Sequence, residues 1–295
     1  MIKLISPAII GRTFSRVMGT VVVGLLFSPL VMSQSDSLPV VALSTATHRA
    51  GISWVEINDP YLSSLQYSGI GFRVEMQEQR YLQPTDDRFS MVNRLTGLAA
   101  ITTNPASTAQ IETVAGAYAF GIRYHYRPFE KWVILMGGNV EGEFGVRVNS
   151  RNVNNPVNLD IAGNLNATLG ASYLLPTRRR TLKFDAQAEM PLVGVMFVPY
   201  PGLSYYELYL SKQLSEAIFL SSLHNRQGSK LALSVEVPFR RSTLHAGWRY
   251  TELKYKGSGP VFAISGHSFM VGITYDVVRS SGRQTRFPAN YVKVF

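Results

Sequence analysis

The chain has 295 residues, no cysteine and a formal net charge of +10. The lack of cysteine excludes a disulfide framework, a lipid-anchored cysteine and thiolate metal sites. Because the lysine and arginine residues are scattered along the chain rather than gathered into one basic run, we expect no nucleic-acid partner.

The N-terminal segment has the three parts of a secretory signal peptide. A basic start is followed by an apolar stretch over residues 17–30 and by a small-residue cleavage site at 31–33. Gly, Thr, Ser and Pro residues interrupt the apolar stretch, which disfavours a membrane-spanning helix there. The sequence therefore predicts a signal peptide over residues 1–33 and an exported mature chain.

In the mature chain, apolar and polar residues alternate in segment after segment. Between residues 118 and 126 the even positions are aromatic or aliphatic, while the odd positions are small or polar, such as Arg123 and His125. The same alternation recurs over residues 70–77, 132–149, 157–173 and 182–189. A period of two is typical of β-strands with two unlike faces, so an all-β fold is predicted.

Several of these segments are about twice as long as an ordinary strand of about 5 to 6 residues. A strand that crosses a bilayer needs about 9 to 11 residues, an apolar outer face, a polar inner face and aromatic residues near both interfaces. Aromatic residues near the predicted strand ends are Tyr124, Tyr126, Trp132, Tyr173, Trp248, Tyr250 and Tyr275. We predict an antiparallel transmembrane β-barrel, with a soluble β-sandwich as the alternative.

Turn-forming residues divide the chain into about twelve predicted strands, and an even number is expected for a bacterial single-chain barrel. These cover residues 40–50, 66–80, 89–103, 110–127, 132–149, 156–175, 180–192, 203–211, 216–224, 230–239, 242–255 and 265–278. Short connections are predicted on the periplasmic side, at 127–131, 176–179 and 239–241. Longer ones are predicted on the opposite side, at 51–65, 193–202 and 256–265.

If the apolar residues face lipid, the alternate polar residues line the lumen, and these include Arg94, Asp160, Glu236, His245 and Asp276. The predicted luminal charge network contains Arg73, Glu75, Arg123, His125, Glu141, Glu143, Arg147, Lys183, Asp185, Glu189 and Arg249. Both signs of charge are interspersed, which favours mutual neutralisation inside a narrow, filled barrel. A polar conduit or binding site is the alternative. Arg123 is predicted to pair with Glu141 or Glu143, because opposite side chains on neighbouring strands lie about 4.5 to 5.5 Å apart.

We assign no catalytic residue and expect no metal or cofactor. His267 and Ser268 are adjacent, so they point to opposite faces of a strand. We assign no nucleophile two positions from His224 or His245, and the five histidines have no metal-binding spacing. Catalytic activity is left open. An outer-membrane lipid-modifying enzyme would be distinguished by a serine or histidine near the outer rim whose replacement by alanine abolishes hydrolysis.

The chain ends in the sequence YVKVF, whose terminal aromatic resembles the signal read by the machinery that assembles outer-membrane barrels. We predict a barrel over residues 34–278, followed by residues 279–295 as either a basic tail or the closing strand. The expected partners are outer-membrane lipid and the assembly machinery, through Phe295 or the last strand. A small solute is a further candidate.

The segment Asp59–Gly69, which reads DPYLSSLQYSG, follows the first predicted strand. With the Gly-rich strands up to about Tyr173, it resembles a Bacteroides-type family of outer-membrane barrels known only as a domain of unknown function. The resemblance implies such a barrel in a Gram-negative outer membrane and supplies no activity or substrate. The predicted role is structural, interaction or narrow transport. A lipid-modifying enzyme and a soluble periplasmic β-sandwich binding module are the alternatives.

Overall fold

The computed structural model describes residues 41–42, 44–83, 86–153, 155–200, 204–210, 214–239, 242–257, 259–277 and 291–292. Its strands are β1 (Val41–Ala42), β2 (Ser44–Asn58), β3 (Gln66–Gln83), β4 (Asp86–Thr103), β5 (Gln110–Phe129), β6 (Trp132–Val148), β7 (Val157–Pro176), β8 (Thr181–Phe197), β9 (Ile218–Ser222), β10 (Arg226–Pro238), β11 (Thr243–Tyr255), β12 (Phe262–Val277) and β13 (Tyr291–Val292). Two short helices lie between β8 and β9: α1 (Tyr205–Leu210) and a 3-10 turn (Leu214–Ala217). Neither helix has the length and apolar character needed to cross a membrane.

Ten of the described strands, β2 to β8 and β10 to β12, form one closed antiparallel barrel. The barrel closes where β8 pairs with β10, from Lys183 opposite Glu236 to Glu189 opposite Lys230. The end of the barrel at which β2 starts and β12 finishes is called the terminal end. At this end, consecutive strands are joined by two to four residues. At the opposite, loop end, the connections have six to eight residues, with a longer one between β8 and β10. The predicted asymmetry of short and long connections is confirmed.

The barrel is apolar outside and polar inside. On β6, Val140 is 62% exposed on the outer face, while the next residue, Glu141, is 2% exposed in the lumen. This arrangement of apolar residues outside and polar residues inside follows from the alternation in the sequence, because successive side chains of a strand point to opposite faces. Aromatic rings cluster on the outer face near the terminal end, including the contact pairs Trp132–Tyr173 and Phe89–Tyr124.

The count of about twelve strands is wrong for the described barrel, which has ten. Residues 203–211 were predicted as a strand, but Tyr205–Leu210 is helical. Ser204 Oγ accepts the Glu207 N–H at 3.2 Å, and Glu207 Oε2 accepts the Ser204 N–H at 2.7 Å. This reciprocal pair is a helix-capping box that overrides the alternation. The other predicted strand, 216–224, is reduced to the five residues of β9, which pair only with the end of β8.

The first barrel strand is longer than predicted. Residues 51–58 were expected in a loop, but they continue β2 and pair with β12 on one side and β3 on the other. Gly51 and Ser53 make this half of the strand resemble a loop in composition, whereas pairing on both sides keeps it extended.

The described fold is one closed sheet, which differs from the two packed sheets of the alternative β-sandwich. At the terminal end, β12 finishes at Val277, and the short β13 pairs in parallel with β1 outside the barrel sheet. The predicted signal peptide and the chain terminus at Phe295 lie outside the described residues.

Candidate functional site in the barrel lumen

All eleven residues of the predicted luminal network lie on inward-facing strand positions. Three of the most enclosed are Glu75, Glu141 and Arg147, each no more than 2% exposed. Burying that many charges is costly unless each finds a partner or hydrogen bonds. The pairing of the charges therefore decides what the lumen can do.

The centre of the lumen contains a cluster of three carboxylates shared by two cations. Arg94 Nη2 donates to both oxygens of Glu189, at 2.8 and 2.7 Å, and lies 3.7 Å from Glu141. The Lys230 ammonium contacts Glu141 and lies 3.2 Å from Glu143 and 3.5 Å from Glu189. These contacts join β4, β6, β8 and β10 across the interior, so the cluster fills the lumen instead of lining an open channel.

Glu75 is held between two guanidinium groups. Its Oε1 lies 2.9 Å from Arg49 Nη2, and its Oε2 lies 2.7 Å from Arg249 Nη2. Since Glu75 is fully buried, losing one of these cations would leave a poorly compensated charge in the interior.

A third ion-paired group lies nearer the terminal end. Lys183 Nζ is 3.3 Å from Asp185 and 3.6 Å from Glu236. Asp185 also accepts a short hydrogen bond from the Ser172 hydroxyl. This group ties β7, β8 and β10 together at the seam where the barrel closes.

At the loop end, Arg147 anchors a loop inside the barrel mouth. Its Nε donates to Asp59 Oδ2 at 2.7 Å and its Nη1 donates to Asp160 Oδ2 at 3.1 Å. Asn158 Nδ2 donates to the same Asp59 carboxylate at 2.8 Å. Asp59 is the first residue of the DPYLSSLQYSG segment, so this segment folds inward onto the lumen wall.

Above this anchor, apolar side chains close the mouth of the barrel. This apolar cap consists of Val55, Ile57, Tyr61, Leu62, Tyr67, Leu98, Ala100, Ile111, Ala162, Met196, Tyr255 and Phe262. Tyr205 of α1 packs against it and donates its hydroxyl to Asn158 Oδ1 at 3.1 Å. Burial, with the nearby charges of Asp59 and Glu207, raises the pKa of Tyr61 to about 12, so this phenol stays neutral at ordinary pH. Burial likewise raises the pKa of Tyr205.

Three predicted network members have no carboxylate within ion-pair distance among the described residues. Arg73 Nε donates to Ser268 Oγ at 3.1 Å, Arg123 Nη2 donates to Gln187 Oε1 at 3.3 Å, and His125 Nε2 lies 2.7 Å from Ser90 Oγ.

The predicted pairing of Arg123 with Glu141 or Glu143 is wrong. In the β5–β6 ladder Arg123 is opposite Gly137, while Glu141 is opposite Ala119 and Glu143 is opposite Ala117. The position of the β5–β6 turn sets this register and moves the charges four or more residues apart along the barrel.

A cavity of about 160 Å³ lies beside the central cluster. Its lining contains six cations, Arg73, Arg94, Arg147, Arg226, Lys230 and Arg249. It contains four acidic side chains, Glu141, Glu143, Asp160 and Glu252. This cavity has room for a small guest, and its wall has an excess of positive charge.

Sequence reasoning missed four members of the network: Arg49, Asp59, Arg226 and Lys230. Asp59 lies in a connection, where strand alternation carries no information. Arg226 lies in β10 outside the predicted strand bounds, whereas Arg49 and Lys230 lie within the predicted strands 40–50 and 230–239 and were still not assigned to the lumen. Alternation with Gly228 and Ala232 would have placed Lys230 on the inner face.

Two serine–histidine contacts are present that the sequence did not reveal. Ser222 Oγ lies 2.5 Å from His224 Nδ1 in an exposed turn at the loop end, which corrects the expectation of no nucleophile two positions from His224. Ser90 Oγ lies 2.7 Å from the buried His125 Nε2. No described carboxylate forms an ion pair with either histidine, so both lack the acidic orienting group of a catalytic triad.

Adjacent His267 and Ser268 do point to opposite faces, with Ser268 bonded inside the lumen to Ser53 at 2.7 Å. His267 lies outside against the Tyr250 ring, with 4.9 Å between ring centroids. Within the described part of the chain, no group of three or more His, Asp or Glu side chains could hold a metal ion.

The fold is similar to several solved barrels at very low sequence identity. The outer membrane protease OmpT from Escherichia coli matches with a TM-score of 0.39 and 6% identity, covering 83% of this chain and 99% of that one. The transport unit of the autotransporter AIDA-I from Escherichia coli matches with a TM-score of 0.40 and 11% identity, covering 88% and 97%. The translocator domain of the autotransporter NalP from Neisseria meningitidis matches with a TM-score of 0.39 and 10% identity, covering 91% and 96%.

No curated protein matches the sequence. A protein family described as "Protein of unknown function (DUF3316)" matches residues 20–284. The expected membership in a domain family of unknown function is thereby confirmed, while its Bacteroides type stays a prediction. Because the match spans most of the chain, the protein belongs to this family.

Proposed function

We propose that the protein is an integral β-barrel of a Gram-negative outer membrane whose resting lumen is closed, and that it has a structural or interaction role in the envelope. The observation that carries the proposal is the reversed polarity of the wall, seen in Val140 at 62% exposed beside Glu141 at 2%. A soluble protein would lose free energy by exposing such a band of aliphatic and aromatic residues, whereas a bilayer solvates it.

The dimensions of the barrel support a membrane location. The ten barrel strands have 13 to 20 residues, more than the roughly 9 to 11 needed to cross the hydrocarbon core. Short connections at the terminal end and longer ones at the loop end match the usual periplasmic and external sides of outer-membrane barrels. The proposed partners are outer-membrane lipid and the assembly machinery, which would recognise the last strand or Phe295.

The interior supports a closed state. The ion pairs Arg94–Glu189 and Lys230–Glu141 join non-neighbouring strands across the centre, and the apolar cap fills the mouth at the loop end. An ion crossing the lumen would have to displace both barriers.

Narrow transport of a small solute is the second candidate, and it is favoured by the 160 Å³ cavity beneath the cap. In this case the anchor between Arg147 and Asp59 would have to open. The lipid-modifying enzyme has less support, because the exposed Ser222–His224 contact lacks an acidic orienting partner among the described residues.

The test combines gel mobility with conductance. Membranes from a Gram-negative host expressing the full chain are extracted in detergent, and boiled and unboiled samples are compared on gels and in planar bilayers. We expect a compact unboiled species that is confined to the outer-membrane fraction and shows no steady conductance. Steady, discrete conductance steps would contradict the closed lumen, and a soluble protein without a mobility shift would contradict the membrane assignment.

A further inference from the structure

The cavity in the lumen contains two guanidinium groups whose hydrogen-bonding capacity is incompletely used. Arg226 is 2% exposed and contacts Glu143 through Nη2. Its Nε and Nη1 have no hydrogen-bond partner among the described residues. Buried N–H groups of a charged side chain are rarely left in this condition, since each costs the free energy of its lost hydration.

Arg73 lines the same cavity and has no ion-pair partner in the described chain. Hydroxyl groups hold it, with Ser268 Oγ 3.1 Å from Nε and Thr251 Oγ1 3.5 Å from Nη2. Neutral hydroxyls fix the direction of the guanidinium but do not compensate its charge. An anion in the cavity would compensate the charge of Arg73.

Two further polar atoms in the cavity wall point to the same kind of guest. Thr113 Oγ1 and Asn164 Oδ1 are buried and have no hydrogen-bond partner among the described residues. A hydroxyl can donate to an anionic oxygen, while an amide oxygen can accept only from an O–H or N–H group. The unpartnered polar atoms of the wall thus comprise several donors and one acceptor, which suits an oxyanion, including one that carries a hydroxyl group.

We propose that this cavity is a binding site for a small oxyanion, a phosphate or carboxylate group, held by Arg73 and Arg226. Guanidinium groups prefer these anions because their paired N–H groups match two oxygens. The volume of about 160 Å³ is close to that of an engineered cavity of about 150 Å³ that admits benzene, so the anionic group and only a few attached atoms fit. Glu141 and Glu143 also line the cavity, and both are paired with Lys230, so their negative charge is already compensated.

The test is calorimetric titration of the folded full chain in detergent with inorganic phosphate and with acetate, at constant ionic strength. We expect saturable binding of at least one of them. The variants Arg73→Gln and Arg226→Gln should each weaken it by about 10- to 100-fold, the effect of losing a hydrogen bond to a charged partner. Arg123→Gln is the matched control, because Arg123 is also a buried luminal arginine but does not line this cavity. Its affinity should equal that of the wild-type chain.

A second measurement keeps the test independent of how the variants fold. For the wild-type chain, phosphate or acetate should raise the temperature at which the compact gel band is lost, relative to chloride, because a ligand that binds only the folded state stabilises it. Titration with phosphatidate in micelles distinguishes a lipid headgroup from a free anion as the source. If phosphatidate alone binds in an Arg73- and Arg226-dependent way, the site is one for a lipid-borne phosphate, and the oxyanion proposal holds. It is overturned if none of the three binds, or if binding is unchanged in both variants. Neither result bears on the membrane assignment, which the gel and conductance assays test separately.

Discussion

Neutralising Asp59 should release the loop that closes the barrel mouth. The side chains of Asp59 and Arg147 are 1% and 3% exposed, and the carboxylate also accepts hydrogen bonds from Asn158 at 2.8 Å and from the Tyr61 N–H at 3.1 Å. Breaking a buried ion pair by removing one charge costs about 3 to 5 kcal/mol. Asp59→Asn keeps the size of the side chain, and Arg147 keeps Asp160, so we expect the lower value of about 3 kcal/mol. If the whole loss destabilises the closed state of the mouth relative to its open state, the fraction of molecules with an open mouth rises on the order of 100-fold.

Cysteine labelling can measure this equilibrium directly, because the chain contains no cysteine. Ala162 is 6% exposed within the apolar cap, and Ala162→Cys adds little volume. In the detergent-folded protein, a water-soluble maleimide should modify Cys at this position slowly. The rate should increase on the order of 100-fold when Asp59→Asn is added, if opening limits access.

The control is Val153→Cys, at a loop position that is 90% exposed and should react equally fast with or without Asp59→Asn. Both proteins should keep the compact, heat-sensitive gel band, which excludes general misfolding as the cause. An increase of less than about threefold at Ala162→Cys, with the control unchanged, would show that the Asp59–Arg147 contact does not hold the mouth closed, because the expected loss of about 3 kcal/mol would be absent.

Three further predictions concern the wall and its filling. Val140→Arg on the outer face should destabilise the membrane-inserted barrel by about 2–4 kcal/mol, measured by denaturant unfolding in lipid vesicles, while Val153→Arg should have no effect; equal stability of both would argue against a lipid-facing Val140. Gly137→Ala should prevent formation of the compact gel species, because the new methyl would lie 2.1 Å from a carbonyl oxygen of the neighbouring strand, whereas Gly142→Ala, with no atom within 4 Å, should fold normally. A Gly137→Ala protein with wild-type mobility would show that the strands are spaced differently. Glu189→Gln should cost about 3 kcal/mol and lower the temperature at which the compact band is lost, and an unchanged temperature would mean that the central cluster contributes little to stability.

The sequence predicted which residues face the lumen better than it predicted which of them contact one another. Alternation assigned Glu75, Glu141 and Glu189 to the lumen because the direction of a side chain is a local property of its strand. It failed for Asp59, which reaches the lumen from a connection, and for the partner of Arg123, which depends on the register set by a turn. Contacts such as Arg94–Glu189 join residues 95 positions apart, and no local pattern specifies them.

By itself, the sequence determined that this chain forms long antiparallel strands with an apolar and a charged face, since backbone geometry makes every second side chain share a face. The tertiary structure decided that ten strands close the barrel, because the β8–β10 ladder brings Lys183 opposite Glu236 and excludes β9 from the wall. It also decided that the lumen is filled. Strand number and stagger together set the barrel diameter, and only that diameter determines whether charges on opposite walls meet or line an open channel.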